Sequence, residues 1–137
     1  MGTLVLDASP IVSLLLAELV AARVEQRLTE HLATSELVMC SVNWCEVLYA
    51  TRLKAGPFAE ARAVGRLRRL GVAVLDADQR LATYAADVKA RFGLGLGDAF
   101  AAGLALALDA PLLTGDADFL PLAEHGLKLD WVGDERL

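Results

Sequence analysis

Residues 3–10 read Thr-Leu-Val-Leu-Asp-Ala-Ser-Pro, and this stretch predicts the class of the fold. Thr3–Leu6 is a short run of apolar and β-branched residues, typical of a strand that is buried on both faces. Ser9 followed by Pro10 is typical of a helix start, because serine caps helices and proline suits their first turn. We therefore expect a buried strand, then Asp7, then a helix, which is the repeating unit of an α/β fold.

Strand and helix patterns alternate along the rest of the chain. Further apolar runs predict strands at Glu36–Cys40, Gly71–Leu75, Ala110–Thr114 and Leu127–Val132. Helical periodicity and end signals predict helices at about residues 9–17, 19–31, 41–56, 57–70, 79–92 and 98–108. Since parallel strands need helical crossovers on both faces, we expect a three-layer α/β/α domain with a five-stranded parallel sheet.

Length and composition indicate one globular domain over residues 1–137. No apolar run approaches the roughly 18 uncharged residues of a membrane span, and the N-terminus has no signal-peptide pattern. We expect a cytoplasmic protein that does not contact a membrane. Cys40 and Cys45 lack the spacing of a metal site, and both are predicted to be buried thiols.

The net charge of −5 argues against a protein that coats nucleic acid by bulk electrostatics. It does not exclude an enzyme that acts on nucleic acid through a metal ion, because the ion supplies the positive charge. The basic residues are uneven and cluster at Arg52, Lys54, Arg62, Arg66, Arg68 and Arg69. Most of this cluster is predicted to be a solvated helix face.

Four acidic residues fall at related places in the predicted fold. Asp7 follows the first strand, and Asp116 follows the fourth. Glu46 lies one turn into the helix after the second strand, and Asp98 follows a glycine-rich break at the start of the sixth helix. Ligands of open α/β sheets bind beyond the carboxyl ends of the strands. We therefore expect these acids to meet at that edge.

Each acid also has a purely structural interpretation. Asp7 and Asp98 fit helix N-caps, Asp116 fits a turn residue, and Glu46 fits an exposed helix position. The neighbours of Glu46 are mostly apolar, which favours a pocket or a pairing partner for its carboxylate. All four acids at one edge of the sheet favour a common site over four separate structural roles.

Such a site predicts a divalent cation. Two carboxylates about 5 Å apart repel by roughly 3 kcal/mol at an effective dielectric constant of about 20. Oxygen ligands suit Mg²⁺ or Mn²⁺, and the lack of histidine and cysteine argues against zinc. A metal held this way favours hydrolysis of phosphodiesters, with a carboxylate as the general base. His31 and His125 are predicted to lie on the surface, outside the site.

Four short motifs carry these acids, in order, at residues 5–9, 43–46, 97–99 and 114–119. They read Val-Leu-Asp-Ala-Ser, Asn-Trp-Cys-Glu, Gly-Asp-Ala and Thr-Gly-Asp-Ala-Asp-Phe. Over its whole length the chain resembles a PIN domain, and specifically a ribonuclease toxin of the VapC type. The resemblance implies a sheet with strand order 3-2-1-4-5. It also implies Mg²⁺- or Mn²⁺-dependent cleavage of RNA, a homodimer, and a cognate VapB-type antitoxin whose C-terminal segment blocks the active site.

The resemblance assigns roles to individual residues. Asp7, Glu46, Asp98 and Asp116 correspond to the family's acidic quartet, which binds metal and is catalytic.

Further residues of the motifs have auxiliary roles by the same resemblance. Asp118 is either a fifth acid of the site or a surface acid. Ser9 and Thr114 offer hydroxyls to a metal-bound water or a phosphate, and Asn43 lies one turn before Glu46 on the same helix face, where it could orient that carboxylate.

Two other functions stay open at this point. A phosphatase of the haloacid-dehalogenase type would need Asp-x-Asp after the first strand, where this chain has Asp7-Ala-Ser9. The acids could also hold an ion in a binding module without toxin activity. Several leucines and valines beyond an obvious core predict either core packing or a groove for a partner helix, namely Leu14, Leu15, Leu16, Leu19, Val20, Leu48 and Leu53.

Overall fold

One parallel sheet organises the protein, whose computed structural model describes residues 2–134. The predicted domain bounds, 1–137, therefore reach beyond the described residues at both ends. The sheet has the order β3-β2-β1-β4-β5, which confirms the expected topology. Its strands are β1 (Gly2–Leu6), β2 (Ser35–Cys40), β3 (Ala73–Leu75), β4 (Leu112–Thr114) and β5 (Leu129–Trp131).

Helices connect the strands and cover both faces of the sheet. They are α1 (Ala8–Leu15), α2 (Ala21–Leu32), α3 (Ser41–Ala55), α4 (Pro57–Arg69), α5 (Gln79–Phe92), α6 (Leu96–Leu108) and α7 (Leu120–Ala123). A 3₁₀ turn at Ala117–Phe119 precedes α7. The sequence patterns missed both of these last elements, because each is too short to show a helical period.

The core has two apolar clusters, one on each face of the sheet. Alternate residues of β1 enter opposite clusters, since successive strand side chains point to opposite faces. Val5 packs with residues of α5 and α6, whereas Leu4 and Leu6 pack with residues of α1, α2 and α3. All three β1 side chains are fully buried, each worth about 1.5–3 kcal/mol of transfer free energy. The central strand therefore holds the three layers together.

The observed strands β3 to β5 are shorter than predicted, at three residues each. At β3 the reason is local. Gly71 has a φ of +75°, so the chain is still turning where the apolar pattern predicted a strand.

Two predictions about single side chains are wrong. Cys45 is exposed, because it lies on the outer face of α3, while Cys40 is buried as expected. His31 is half-buried instead of lying free on the surface, with Nε2 2.7 Å from the carboxylate of Asp130 and Nδ1 3.1 Å from the hydroxyl of Ser35. His125 is exposed, as predicted.

No single helix among residues 2–134 has the length and apolar composition needed to cross a membrane. Helices α5 and α6, bent by 116° at the break between them, meet that test only as a pair.

Candidate active site

Asp7 lies at the carboxyl end of the central strand and is 2% exposed. Its Oδ1 accepts the N–H of Ala8 at 2.9 Å, so it is also the N-cap of α1. Its Oδ2 accepts the hydroxyl of Thr114 at 2.8 Å. Burial raises the pKa of Asp7 to about 7, and the charges of Asp98 and Glu46 add to the rise, against the lowering effect of Thr114. The capping role and the site role therefore coincide at this residue.

Glu46 is held by Asn43, one turn earlier in α3. Asn43 is fully buried, and its Nδ2 donates to Glu46 Oε1 at 2.8 Å and to the carbonyl of Gly97 at 3.0 Å. Its Oδ1 has no hydrogen-bond partner among the described residues. Asn43 thus joins the carboxylate of Glu46 to the beginning of α6.

Gly97 allows Glu46 and α6 to approach each other. A Cβ at this position would lie 2.4 Å from both carboxylate oxygens of Glu46. Any other residue would therefore displace the carboxylate. Sequence reasoning included Gly97 only as part of a motif, and the contact with Glu46 had no sequence signal of its own.

Asp98 lies in the first turn of α6, whose N-cap is Gly95. The capping interpretation of Asp98 is therefore wrong, because the helix begins two residues earlier than predicted. Burial raises the pKa of Asp98 to about 6, with further contributions from the negative charges of Asp116, Glu46 and Asp118. Asp98 thus lies near three carboxylates from two other parts of the chain, α3 and the loop after β4.

Asp116 and Asp118 complete this cluster from the loop after β4. Asp116 Oδ1 accepts the N–H of Asp118 at 2.9 Å, which makes Asp116 the cap of the 3₁₀ turn. Asp98, Asp116 and Asp118 each offer a carboxylate oxygen, and these oxygens all lie within 4.8 Å of one another. Asp118 is exposed but lies within the cluster, which favours the fifth-acid interpretation.

Thr114, at the end of β4, forms hydrogen bonds with two of the acidic residues. It is fully buried, and its hydroxyl donates to Asp7 and accepts the N–H of Asp116 at 3.1 Å. Both of these hydrogen bonds stay inside the protein, and the contact of this hydroxyl with a phosphate or metal-bound water stays a prediction. Ser9, in contrast, is exposed and lines the cavity beside Asp7.

A cavity of about 210 Å³ opens beside Asp7, Glu46 and Asp98. Its other wall includes Glu18, Tyr49 and Lys54. Sequence reasoning did not assign these three residues to the site. Tyr49 had a usable signal, because it follows Glu46 by one helical turn. The position of Glu18 depends on the turn after α1 and had no such signal.

The donor set of this site fits a divalent cation. Carboxylates converge from β1, α3, α6 and the β4 loop, and they are all oxygen ligands. Among the described residues that line the cavity, Lys54 is the one cation, and it pairs with Glu18 at 3.6 Å. Ionising the whole cluster without a counterion is unfavourable, as the raised pKa values of Asp7 and Asp98 indicate. Mg²⁺ or Mn²⁺ would remove that repulsion.

Solved structures with a similar fold include protein complexes from several bacteria. VapBC2 from Rickettsia felis, bound to a DNA fragment from their promoter, matches with a TM-score of 0.74 at 14% identity, over 93% of this chain and 97% of that chain. VapC20 from Mycobacterium tuberculosis, described as a Sarcin-Ricin loop cleaving toxin, matches with a TM-score of 0.72 at 14% identity, over 86% and 93%. VapBC-1 from nontypeable Haemophilus influenzae matches with 0.70 at 22% identity, over 95% and 98%.

No curated protein matches the chain by sequence. A model of one protein family, described as the PIN domain, matches residues 4–124. This match spans most of the chain and all four acids of the quartet. The sheet order observed here is also the one that the resemblance to this family implied. The chain therefore belongs to the PIN-domain family.

Proposed function

We propose that the protein is a Mg²⁺- or Mn²⁺-dependent endoribonuclease that acts as the toxin of a toxin–antitoxin pair. The observation that carries this proposal is the position of Asp98, among the carboxylates of Glu46, Asp116 and Asp118. The ionised forms of these acids repel one another, a cation would relieve that repulsion, and a cation in an open cavity suits phosphodiester hydrolysis. The similarity to VapC20, described as a Sarcin-Ricin loop cleaving toxin, supports RNA as the substrate.

Asp7, Glu46, Asp98 and Asp116 would hold the metal. When bound, the ion polarises a phosphoryl oxygen and lowers the pKa of a bound water. The protein's own residues position the ligands for this chemistry. Thr114 fixes one oxygen of Asp7, and Asn43 fixes one oxygen of Glu46.

We assign the antitoxin to a groove of about 740 Å³. It lies next to the acidic cavity, which is the 210 Å³ cavity beside Asp7, Glu46 and Asp98. The groove is lined by apolar residues at the end of α1 and on α4, including Leu15, Leu16 and Phe58, the last of which is 82% exposed. Its other lining residues include three arginines of α4, at positions 62, 66 and 69. An acidic segment with apolar side chains fits this combination, so we assign the groove to the C-terminal segment of a VapB-type antitoxin.

The remaining leucines and valines that the sequence predicted to lie either in the core or in a partner groove differ in their exposure. Leu14 is buried, Val20 and Leu48 are half-buried, and Leu19 and Leu53 are fully or largely exposed. The exposed leucines lie outside the groove residues and suit a homodimer interface, which light scattering of the purified protein would test. A cytoplasmic location stays a prediction.

Cleavage of RNA by the purified, antitoxin-free protein tests the enzymatic proposal. We expect a broad pool of cellular RNA to be cut with Mg²⁺ or Mn²⁺, and EDTA to abolish the cutting. The Asp98→Asn variant should fold, as circular dichroism would show, and should not cut. Failure of the wild type to cut any RNA would contradict the proposal. Release of phosphate from small phosphoesters would favour a phosphatase instead.

The toxin role needs a separate measurement. Induced expression should arrest growth of a bacterial host, and expression of Asp98→Asn should not. Unaffected growth together with strong RNA cleavage in vitro would leave the nuclease in place and remove the toxin role.

A further inference from the structure

One wall of the acidic cavity carries none of the predicted metal ligands. It consists of Tyr49 and Lys54 on α3 and Glu18 in the turn between α1 and α2. All three side chains line the same cavity as Asp7, Glu46 and Asp98. A substrate whose phosphate occupies the cavity would therefore lie close to these three side chains.

Lys54 and Glu18 form an ion pair across the mouth of the cavity. Lys54 Nζ lies 3.6 Å from Glu18 Oε2, and both side chains are about half exposed. A pair of this kind is weak, because water and salt screen it. Lys54 can therefore exchange the carboxylate of Glu18 for another anion at little cost.

Glu18 is held in place by its own turn. Ser13 Oγ donates to Glu18 Oε1 at 3.1 Å, and the N–H of Glu18 donates to the carbonyl of Ser13 at 2.9 Å. Ala17 has a φ of +53°, a left-handed conformation that alanine rarely adopts. The chain thus accepts a strained residue in the turn that presents Glu18 to Lys54.

Tyr49 presents an aromatic ring beside the acids. It lies one helical turn after Glu46, lines the cavity and is 53% exposed. Unpaired nucleic-acid bases stack on exposed aromatic rings of this kind, whereas paired bases are stacked within their own helix. A ring next to the acidic cavity is placed for the base that adjoins the cleaved bond.

We propose that Tyr49 and Lys54 bind the nucleotide next to the cleaved phosphodiester, with Tyr49 stacking on its base and Lys54 binding its phosphate. Glu18 holds Lys54 in the free protein and yields it to the RNA. This proposal rests on the proposed ribonuclease function and adds to it the residues that hold the nucleotide next to the cleaved bond.

The two charged residues have opposite predicted effects. Lys54 attracts the RNA, and Glu18 competes with it. Removing Lys54 should therefore weaken RNA binding, and removing Glu18 should strengthen it. If the ion pair only supported the fold, both removals would act in the same direction. The double variant tells two explanations of tighter binding apart. If Glu18 competes for Lys54, removing Glu18 has no effect once Lys54 is gone. If Glu18 only repels the RNA by its charge, removing it still tightens binding.

Binding is measured in the Asp98→Asn background, so that the RNA stays intact. The probe is a short fluorescein-labelled single-stranded RNA of random sequence, followed by fluorescence anisotropy in Mg²⁺. We expect Lys54→Gln to weaken binding by about tenfold and to reduce the slope of log affinity against log salt by about 0.7. Glu18→Gln should tighten binding by about threefold. The Glu18→Gln/Lys54→Gln double variant should bind like Lys54→Gln alone.

Variants of Tyr49 test the stacking contact in the same binding assay. Tyr49→Ala should weaken binding by about tenfold, and Tyr49→Phe should bind like the parent, because the ring is retained. A fully paired RNA hairpin stem should bind more weakly than the single strand. Tyr84→Ala and Lys128→Gln are matched controls, since these residues are similarly exposed but do not line the cavity, and both should leave the affinity unchanged.

The proposal is overturned if Glu18→Gln weakens binding, if the double variant keeps a gain in affinity, if Tyr49→Ala has no effect, or if the RNA does not bind. These outcomes are distinct from failure of the nuclease. A wild type that binds RNA in the expected pattern but cuts none would remove the enzymatic function and keep this binding site. If the wild type cuts RNA but the Tyr49 and Lys54 variants bind RNA as tightly as the parent, the enzymatic function stands and this binding site is removed.

Discussion

Two buried aspartates lie at the sheet, and they differ in the charge of the groups around them. Asp130 on β5 is 7% exposed and faces the guanidinium of Arg27 and the imidazole of His31. The guanidinium of Arg27 donates to its Oδ1, with Nε at 2.6 Å, and Nε2 of His31 lies 2.7 Å from its Oδ2. Asp130 thereby ties the edge strand β5 to helix α2.

Asp7, directly after the central strand, has neutral hydrogen-bond donors and acidic neighbours instead. It accepts from the N–H of Ala8 and the hydroxyl of Thr114, and the charges of Asp98 and Glu46 disfavour its ionised form. Removing one partner of a buried ion pair leaves the other charge uncompensated and destabilises the fold. A buried acid among acids is instead unfavourable in its ionised form until a cation binds. The difference separates a structural aspartate from one placed for a cation.

The largest effect is expected from Asp7→Asn. Residues that only orient a metal ligand cost about 10–100-fold in activity when removed, so loss of this carboxylate should cost more than about 100-fold in RNA cleavage. The metal-free variant should nevertheless be more stable than the wild type at pH 8, because asparagine carries no charge into the cluster. Cleavage assays and thermal melts in EDTA measure the two effects. A variant that is both active and destabilised would reverse the assignment of Asp7.

Asp130→Asn should show the opposite pattern. It leaves Arg27 without its buried partner, and because Arg27 is 39% exposed we expect a loss of about 2 kcal/mol in the free energy of unfolding. RNA cleavage should stay at the wild-type rate at temperatures where the variant is folded. Urea denaturation and cleavage assays check this. A fall in cleavage with unchanged stability would place Asp130 in the function instead.

Gly97→Ala tests how closely the acidic cluster is packed. The new methyl group would lie 2.4 Å from the carboxylate of Glu46, so that side chain must move. We expect RNA cleavage to fall by about tenfold, as when a residue that orients a metal ligand is lost. Gly95→Ala, at the N-cap of the same helix, is the matched control, because its methyl group would meet Asp98 only at 4.0 Å. Equal effects of the two substitutions would show that Glu46 tolerates displacement.

The smallest expected effect is the dependence on pH of the rise in Tm that Mg²⁺ causes. The pKa of Asp7 is raised to about 7 in the folded protein from 3.8, so its protonated form contributes stability that is present below pH 4 and lost as the pH rises through 7. Asp98 acts in the same direction, up to about pH 6. Mg²⁺ should therefore raise the Tm more at pH 8 than at pH 5, by about 5 °C. Asp130→Asn should keep this difference and Asp7→Asn should reduce it, as scanning calorimetry would show.

The fold could be predicted from the sequence because its strands are apolar on both faces and its helices have clear ends. Ser9-Pro10 and Gly56-Pro57 mark helix boundaries that local chemistry controls. The start of α6 could not be placed, since Gly95, Leu96 and Gly97 give a weak helical pattern that the packing against α3 overrides.

The acids of the site could be predicted for a similar reason. Each lies directly after a strand or in the first two turns of a helix, so the topology brings them to one edge. Asp130 and its partners could not, because the contact joins residues about 100 positions apart and has no motif. The same holds for Glu18 and Lys54, whose meeting depends on the left-handed turn at Ala17.

The short turn at Gly93–Gly95 divides the quartet evenly between two parts of the chain. Asp7 and Glu46 lie before this turn, and Asp98 and Asp116 lie after it. A chain cut there would hold two of the four proposed metal ligands in each piece, while the extensive packing between α5 and α6 would bring the pieces together. RNA cleavage would then report the meeting of two fragments, and the protein becomes a natural candidate for a split-enzyme sensor.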